Sequence, residues 1–129
     1  MKIKTSELIG LALDWAVATI ECKGELSRIR VYPGHFVVFK DGGNPRGPCS
    51  GHDWSTDWAQ GGPMMEAHDI MIVDKVGFDV YVAKLARAVE ARGKWSYFRS
   101  EGPTQLIAAM RCRVRLGIGD EVEVPGELL

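Results

Sequence analysis

Hydrophobic positions between Leu8 and Ile20 recur at helical spacing. Leu8, Leu11, Ala12, Trp15 and Thr19 form one stripe; Ile9, Leu13, Ala16, Val17 and Ile20 form the stripe beside it. Together they make a wide apolar face, as in a helix packed deep against a sheet. Thr5 or Ser6 supplies the cap, Glu7 a favourable first-turn charge, and Gly24 the stop. Arg28–Tyr32 then alternates as a strand, and His35–Lys40 is a denser apolar run, with Pro33-Gly34 turning the chain between them. Ile70–Val76 reads as another strand. Over 78–92, Tyr81, Leu85, Ala88, Val89 and Arg92 fall near one helical face, which predicts a helix ended by Gly93. Residues 94–99, "KWSYFR", alternate as a strand, with Trp95, Tyr97 and Arg99 on one face. Gly102-Pro103-Thr104 opens a further helix to about Leu116, with Ile107, Met110 and Val114 along its buried line. "EVEV" before Pro125 predicts a short edge strand.

Two stretches break the pattern. Asp41–Gly51, "DGGNPRGPCSG", carries four glycines and two prolines and reads as a long loop. "STDWAQGGP" at 55–63 reads as one capped helical turn: Ser55 the cap, Asp57 a first-turn charge, Gly61 the terminator, Gly62-Pro63 forbidding continuation. Such a turn either plugs Trp58 into the core or offers Asp57 and Gln60 to a ligand. Helices and strands therefore mix without regular strand–helix–strand alternation. The expected fold is a single α+β domain over residues 1–129, with two or three helices on a small, mainly antiparallel sheet and a long Gly/Pro-rich loop.

At 129 residues, 46% of them hydrophobic and 26% charged, the chain has the length and composition of one ordinary globular domain. Its net charge of −1 names no partner, but the charge is unevenly spread. Lys84 to Arg115 holds eight basic and two acidic residues, an asymmetry found on anion- and nucleic-acid-binding faces and on solvated helix surfaces alike. Three scattered cysteines argue against a disulfide framework and for a reducing setting. "MKIK" before an apolar run ending in Ala16-Val17-Ala18 has the outline of a signal peptide, but Glu7 and Asp14 interrupt it and the helical pattern explains it better. No segment has the length and apolarity of a membrane span, so no membrane partner is expected.

Candidate chemistry is sparse. Cys49-x-x-His52 has ligand spacing, with Asp53 and Asp57 nearby, but a second closely spaced pair is missing; no metal or other cofactor is expected. Asp53 and Asp57 make an acidic pair if the chain turns helically between them, the basis of a hydrolase reading of the 49–60 loop. Ser55 lacks the frame of a nucleophile elbow, and Cys112 inside a helix reads as a small buried hydrophobe. Lys94, Trp95, Tyr97 and Arg99 interleave cations with aromatics, and Arg111 and Arg115 lie one helical turn apart; together they form a candidate face for single-stranded nucleic acid.

"LALDWAVATIE" at 11–21, "STDWAQGGP" at 55–63, and "LIAAMRCRV" at 106–114 followed by "GDEVEVP" at 119–125 resemble, in that order, the phage NinX family, small uncharacterised proteins of lambda-like phages and prophages. The family commonly places Thr-Pro before the third segment, where this chain has Pro103-Thr104-Gln105, and residues 64–102 resemble it only loosely. The resemblance implies a phage or prophage protein made in a bacterial cytoplasm. It implies no activity and carries over no catalytic residue. The leading expectation is a non-enzymatic accessory protein with a macromolecular partner, as a monomer or homodimer. Its most site-like surface is Asp53, Trp54, Asp57, Trp58 and Gln60, with Arg111 as a nearby counter-charge. The alternatives are nucleic-acid binding through Lys94, Trp95, Tyr97, Arg99 and Arg115, and a hydrolase or metal site in the 49–60 loop that includes Cys49 and His52.

Overall fold

A computed structural model describes residues 1–23, 25–39, 49–50, 53–75, 80–89 and 94–129, with backbone alone at 49–50, 74, 85–89 and 94–98. The element order is β1 (Lys2–Lys4), α1 (Gly10–Glu21), β2 (Ile29–Tyr32), β3 (His35–Phe39), β4 (Cys49–Ser50), α2 (Trp58–Ala67), β5 (Ile70–Lys75), β6 (Tyr81–Val89), β7 (Lys94–Gly102), α3 (Gln105–Gly117) and β8 (Glu121–Glu123). Among the described residues the strands form three small antiparallel sheets: β1-β8, β2-β3-β4 and β5-β6-β7. The fold is α+β, as the sequence predicts. The Asp41–Gly51 loop and Gly24 fall largely outside the described residues.

Helix α1 is buried from Ala12 to Ala18 without a gap. An apolar helix this wide must be covered on more than one side. It packs on α3 and β3, where Leu13, Ala16 and Val17 join Met110, Val114 and Val38 in the core. The helix does not start at Thr5 or Ser6. A short 3-10 turn occupies Thr5–Glu7, Leu8 and Ile9 are extended, and α1 begins at Gly10. Thr5 instead ties the two ends of the chain together. Its hydroxyl donates to the Gly119 carbonyl at 2.6 Å and its amide to the Asp120 carbonyl at 2.8 Å.

Within the span 78–92 predicted as a helix, the described residues Tyr81–Val89 form the strand β6, the central strand of its sheet, while Gly93 lies outside the described residues. Its alanines favour a helix, but the two flanking strands decide the outcome. Tyr81 to Leu85 pairs with β5 on one side while Tyr81 to Val89 pairs with β7 along its whole length. Tertiary pairing of this kind overrides weak local propensity. Small residues on this sheet let α3 lie close to it. Ala83 is fully buried, and a Cβ at Gly102 would lie 2.6 Å from the Ala108 backbone nitrogen. Thr104 starts α3, its hydroxyl accepting from the Ile107 amide at 3.1 Å.

Candidate functional site

The segment "DWSTDW" at 53–58 is anchored from below by Asp14. This aspartate lies in the middle of α1, only 3% exposed, and its carboxylate accepts from the Ser55 amide at 2.8 Å. Burial is the main cause of a pKa pushed up to about 6; the Ser55 amide opposes the shift and the nearby Asp53 charge adds to it. The Ser55 hydroxyl also favours the charged form through its closeness, yet completes no hydrogen bond of good geometry. The sequence reading missed this role. Its signal was an aspartate inside an otherwise apolar helical run, which demands a buried partner.

Above that anchor the chain binds itself. The Asp57 amide donates to the Asp53 carbonyl at 2.8 Å, closing a turn. Asp57, not Ser55, is the cap of α2; its Oδ1 accepts from the Ala59 amide at 2.9 Å. Gln60 Nε2 donates to Asp57 Oδ2 at 3.2 Å, and Gln60 Oε1 accepts from the Asp53 amide at 2.8 Å. Both polar side chains expected as ligand contacts thus hold the loop.

Gly61, Gly62 and Pro63 do not end the helix either; α2 runs through them to Ala67. Gly61 is needed for space. A Cβ there would strike the Trp54 carbonyl and lie 2.6 Å from Leu106 Cδ2. Pro63 leaves the Ala59 carbonyl without its helical donor, which is tolerable because Ala59 is exposed.

The two tryptophans of this segment have opposite fates. Trp54 is the core plug, 7% exposed, while Trp58 is 53% exposed. The geometry therefore reverses the sequence reading of Trp58 as the plug. The Trp58 ring passes over the bare backbone of Gly62, one turn on. Beside it opens a hollow of about 400 Å³ lined by Thr56, Tyr81, Pro103, Thr104 and Leu106 among others.

A larger hollow of about 1070 Å³ lies on the other side of Pro103, between the end of β7 and the β1–β8 pair. Arg99, Arg111 and Arg115 all line it. Arg111 is not the counter-charge of the 53–60 segment. It reaches the opposite way, its Nε donating to the Leu8 carbonyl at 2.7 Å and its Nη1 to the Glu101 carbonyl at 2.9 Å. Arg115 Nη1 donates to the Arg99 carbonyl at 2.8 Å while its Nε pairs with Asp120 at 2.9 Å. The backbone of β7 places Trp95 opposite Ala88 and Tyr97 opposite Ala86, and Lys94 opposite Val89. Their side chains, with those of Cys49 and His52, lie outside the described parts. Among the described residues no group of three or more His, Cys, Asp or Glu side chains is placed to hold a metal, and no helix is long and apolar enough to cross a membrane.

The model of a family described as bacteriophage P22, NinX, matches residues 4–115. The chain belongs to that family. No match is found among curated proteins. The matched span contains Asp14, the 53–63 segment and all three arginines of the larger hollow.

Proposed function

We propose that this NinX-family chain is a non-enzymatic accessory protein of the phage or prophage, working in the bacterial cytoplasm, and that it binds a protein partner at Trp58. The observation that carries the reading is the exposed indole of Trp58 beside the smaller hollow. Exposed aromatics on a tightly tied segment, when a partner covers them, dominate interface energetics. Asp57, Gln60 and Asp14 fix the segment in advance, which lowers the entropic cost of binding. Pro103, Leu106 and Tyr81 offer an apolar floor, and Thr56, Thr104 and Gln105 a polar rim, the lining that suits one apolar side chain of a protein segment. In this reading Asp53 and Thr56 contribute at the rim, while Trp54 supports from inside.

The test is quantitative crosslinking in phage-infected cells, comparing the wild-type chain with Trp58→Ala and with Lys23→Ala as a distant surface control. The expected result is one phage or host protein retained by wild type and by Lys23→Ala and lost with Trp58→Ala, whose melting curve matches wild type. Equal retention by Trp58→Ala would remove the reading.

The convergence of Arg99, Arg111 and Arg115 on one hollow favours the nucleic-acid alternative to a lesser degree. Two of the three guanidinium groups are already committed to backbone carbonyls, which reduces what they offer to a phosphate chain.

A further inference from the structure

Among the described residues Arg111 carries a buried charge without a counter-ion. It is 8% exposed, and its Nε and Nη1 both donate to neutral carbonyls. Among the described residues no carboxylate lies within ion-pair distance of it. Buried charges are normally paired, because removing an ion from water is expensive unless an opposite charge compensates. Carbonyl dipoles meet part of that cost. Arg111 also lines the larger hollow, which is roomy enough for a small molecule.

The lining of that hollow is unevenly charged in a useful way. Lys4 and Glu121 are cross-strand partners in the β1–β8 pair and offset one another. Asp120 is spent on Arg115. That leaves Arg99 and Arg111 against Glu101, whose backbone carbonyl is the one Arg111 holds. The hollow therefore lacks one negative charge. Glu101 and Ser100 at its wall accept hydrogen bonds from hydroxyl or amine groups.

We infer that the hollow between β7 and the β1–β8 pair binds a small ligand carrying an oxyanion, a phosphate or carboxylate group, which sits on Arg111 and Arg99 and presents hydroxyl or amine donors to Glu101. The oxyanion supplies the missing counter-charge, and the Nη2 donors of Arg111, which neither the Leu8 nor the Glu101 carbonyl takes, suit either group. This site is separate from the Trp58 surface and stands or falls without it.

Isothermal titration at low ionic strength tests the inference with four probes: inorganic phosphate, adenosine monophosphate, citrate and a short oligothymidylate. Arg111 itself is a poor probe, since its loss also frees the Leu8 and Glu101 carbonyls and can unfold the chain. The exposed Arg99→Ala carries the test, with Trp58→Ala and Lys23→Ala as controls. Saturable one-to-one binding of a small probe, weakened about fivefold or more by Arg99→Ala and unchanged by both controls, is the expected result. Phosphate and the nucleotide binding without citrate names a phosphate ester; citrate alone names a carboxylate. No saturation by any small probe up to about 10 mM overturns the inference. So does binding that Arg99→Ala leaves unchanged, and so does binding of the oligonucleotide alone, which would favour a nucleic-acid face.

Discussion

Replacing Asp14 by asparagine separates the charge of this side chain from its hydrogen bond. The folded chain raises the carboxyl pKa from 3.8 to about 6, a difference worth about 3 kcal/mol. The sign follows from proton counting. Between about pH 4 and pH 6 the unfolded Asp14 has lost its proton while the folded one keeps it, so rising pH favours unfolding. The cost is absent well below the unfolded pKa and complete above the folded one. The substituted side-chain amide would still accept from the Ser55 amide through its oxygen. Its nitrogen would find the Ser55 hydroxyl, which now completes no hydrogen bond. The Asp14→Asn chain is therefore expected to gain on wild type as pH rises, by about 3 kcal/mol between roughly pH 4 and pH 7. Urea unfolding followed by tryptophan fluorescence, at four pH values across that window, measures the gap. Asp14→Ala gives the second arm. It removes the acceptor and leaves the Ser55 amide buried without a partner, so it should be about 1–3 kcal/mol less stable than Asp14→Asn at every pH. A gap between wild type and Asp14→Asn that stays constant with pH would refute the raised pKa. A gap that closes as pH rises would mean that the anion is stabilised by a charge the geometry does not contain.

Three further substitutions probe the same region. Gly61→Ala should destabilise by about 1–3 kcal/mol despite its better helix propensity, because its Cβ meets the Trp54 backbone; a raised melting temperature would contradict the close approach. Asp57→Ala removes the cap of α2 and the Gln60 contact and should cost about 1–2 kcal/mol, read as a lower urea midpoint with unchanged slope. Thr104→Ala, at the start of α3, should cost about 1 kcal/mol in the same assay, and an unchanged midpoint would show that its hydroxyl does not cap.

Much of the fold was legible because its signals were local. The dense apolar faces of α1 and α3, the alternation in β2, β7 and β8, and the Pro33-Gly34 turn each follow from neighbouring residues. What was not legible depends on distant residues. β6 is a strand only because β5 and β7 pair with it, and nothing in "VAKLARAV" announces those partners. α2 continues through Gly-Gly-Pro with Trp54 and Leu106 close against the bare face of Gly61, a contact across the fold. The same gap explains the exchange of the tryptophans. Trp54 and Trp58 lie four residues apart in similar company, and the contacts that separate them, such as the Asp14 anchor beneath Ser55, come from elsewhere in the fold. In the candidate site, composition picked out the segment but left Trp58 open between core plug and exposed group, and it offered to a ligand the Asp57 and Gln60 groups that the loop uses itself.

The arginines of α3 show how helix and strand geometry together define where a ligand can approach. Arg111 and Arg115 are four residues apart on α3, a rise of about 6.0 Å. The carbonyls that they hold, Glu101 and Arg99, are two residues apart on β7, about 6.6 Å along the strand. The near match lets two guanidinium groups of one helix face reach successive outward carbonyls of one strand. Among the described residues β7 pairs with β6 alone, and exposed edges invite pairing with another chain. Here the two carbonyls at its end are already taken by side chains. An incoming strand would have to displace both arginines, one of them buried, before it could extend the ladder. The space beyond this edge is thereby closed to strand addition yet remains open to a compact ligand that meets the arginines from the hollow. That exclusion favours a small anion over an added peptide strand at this place.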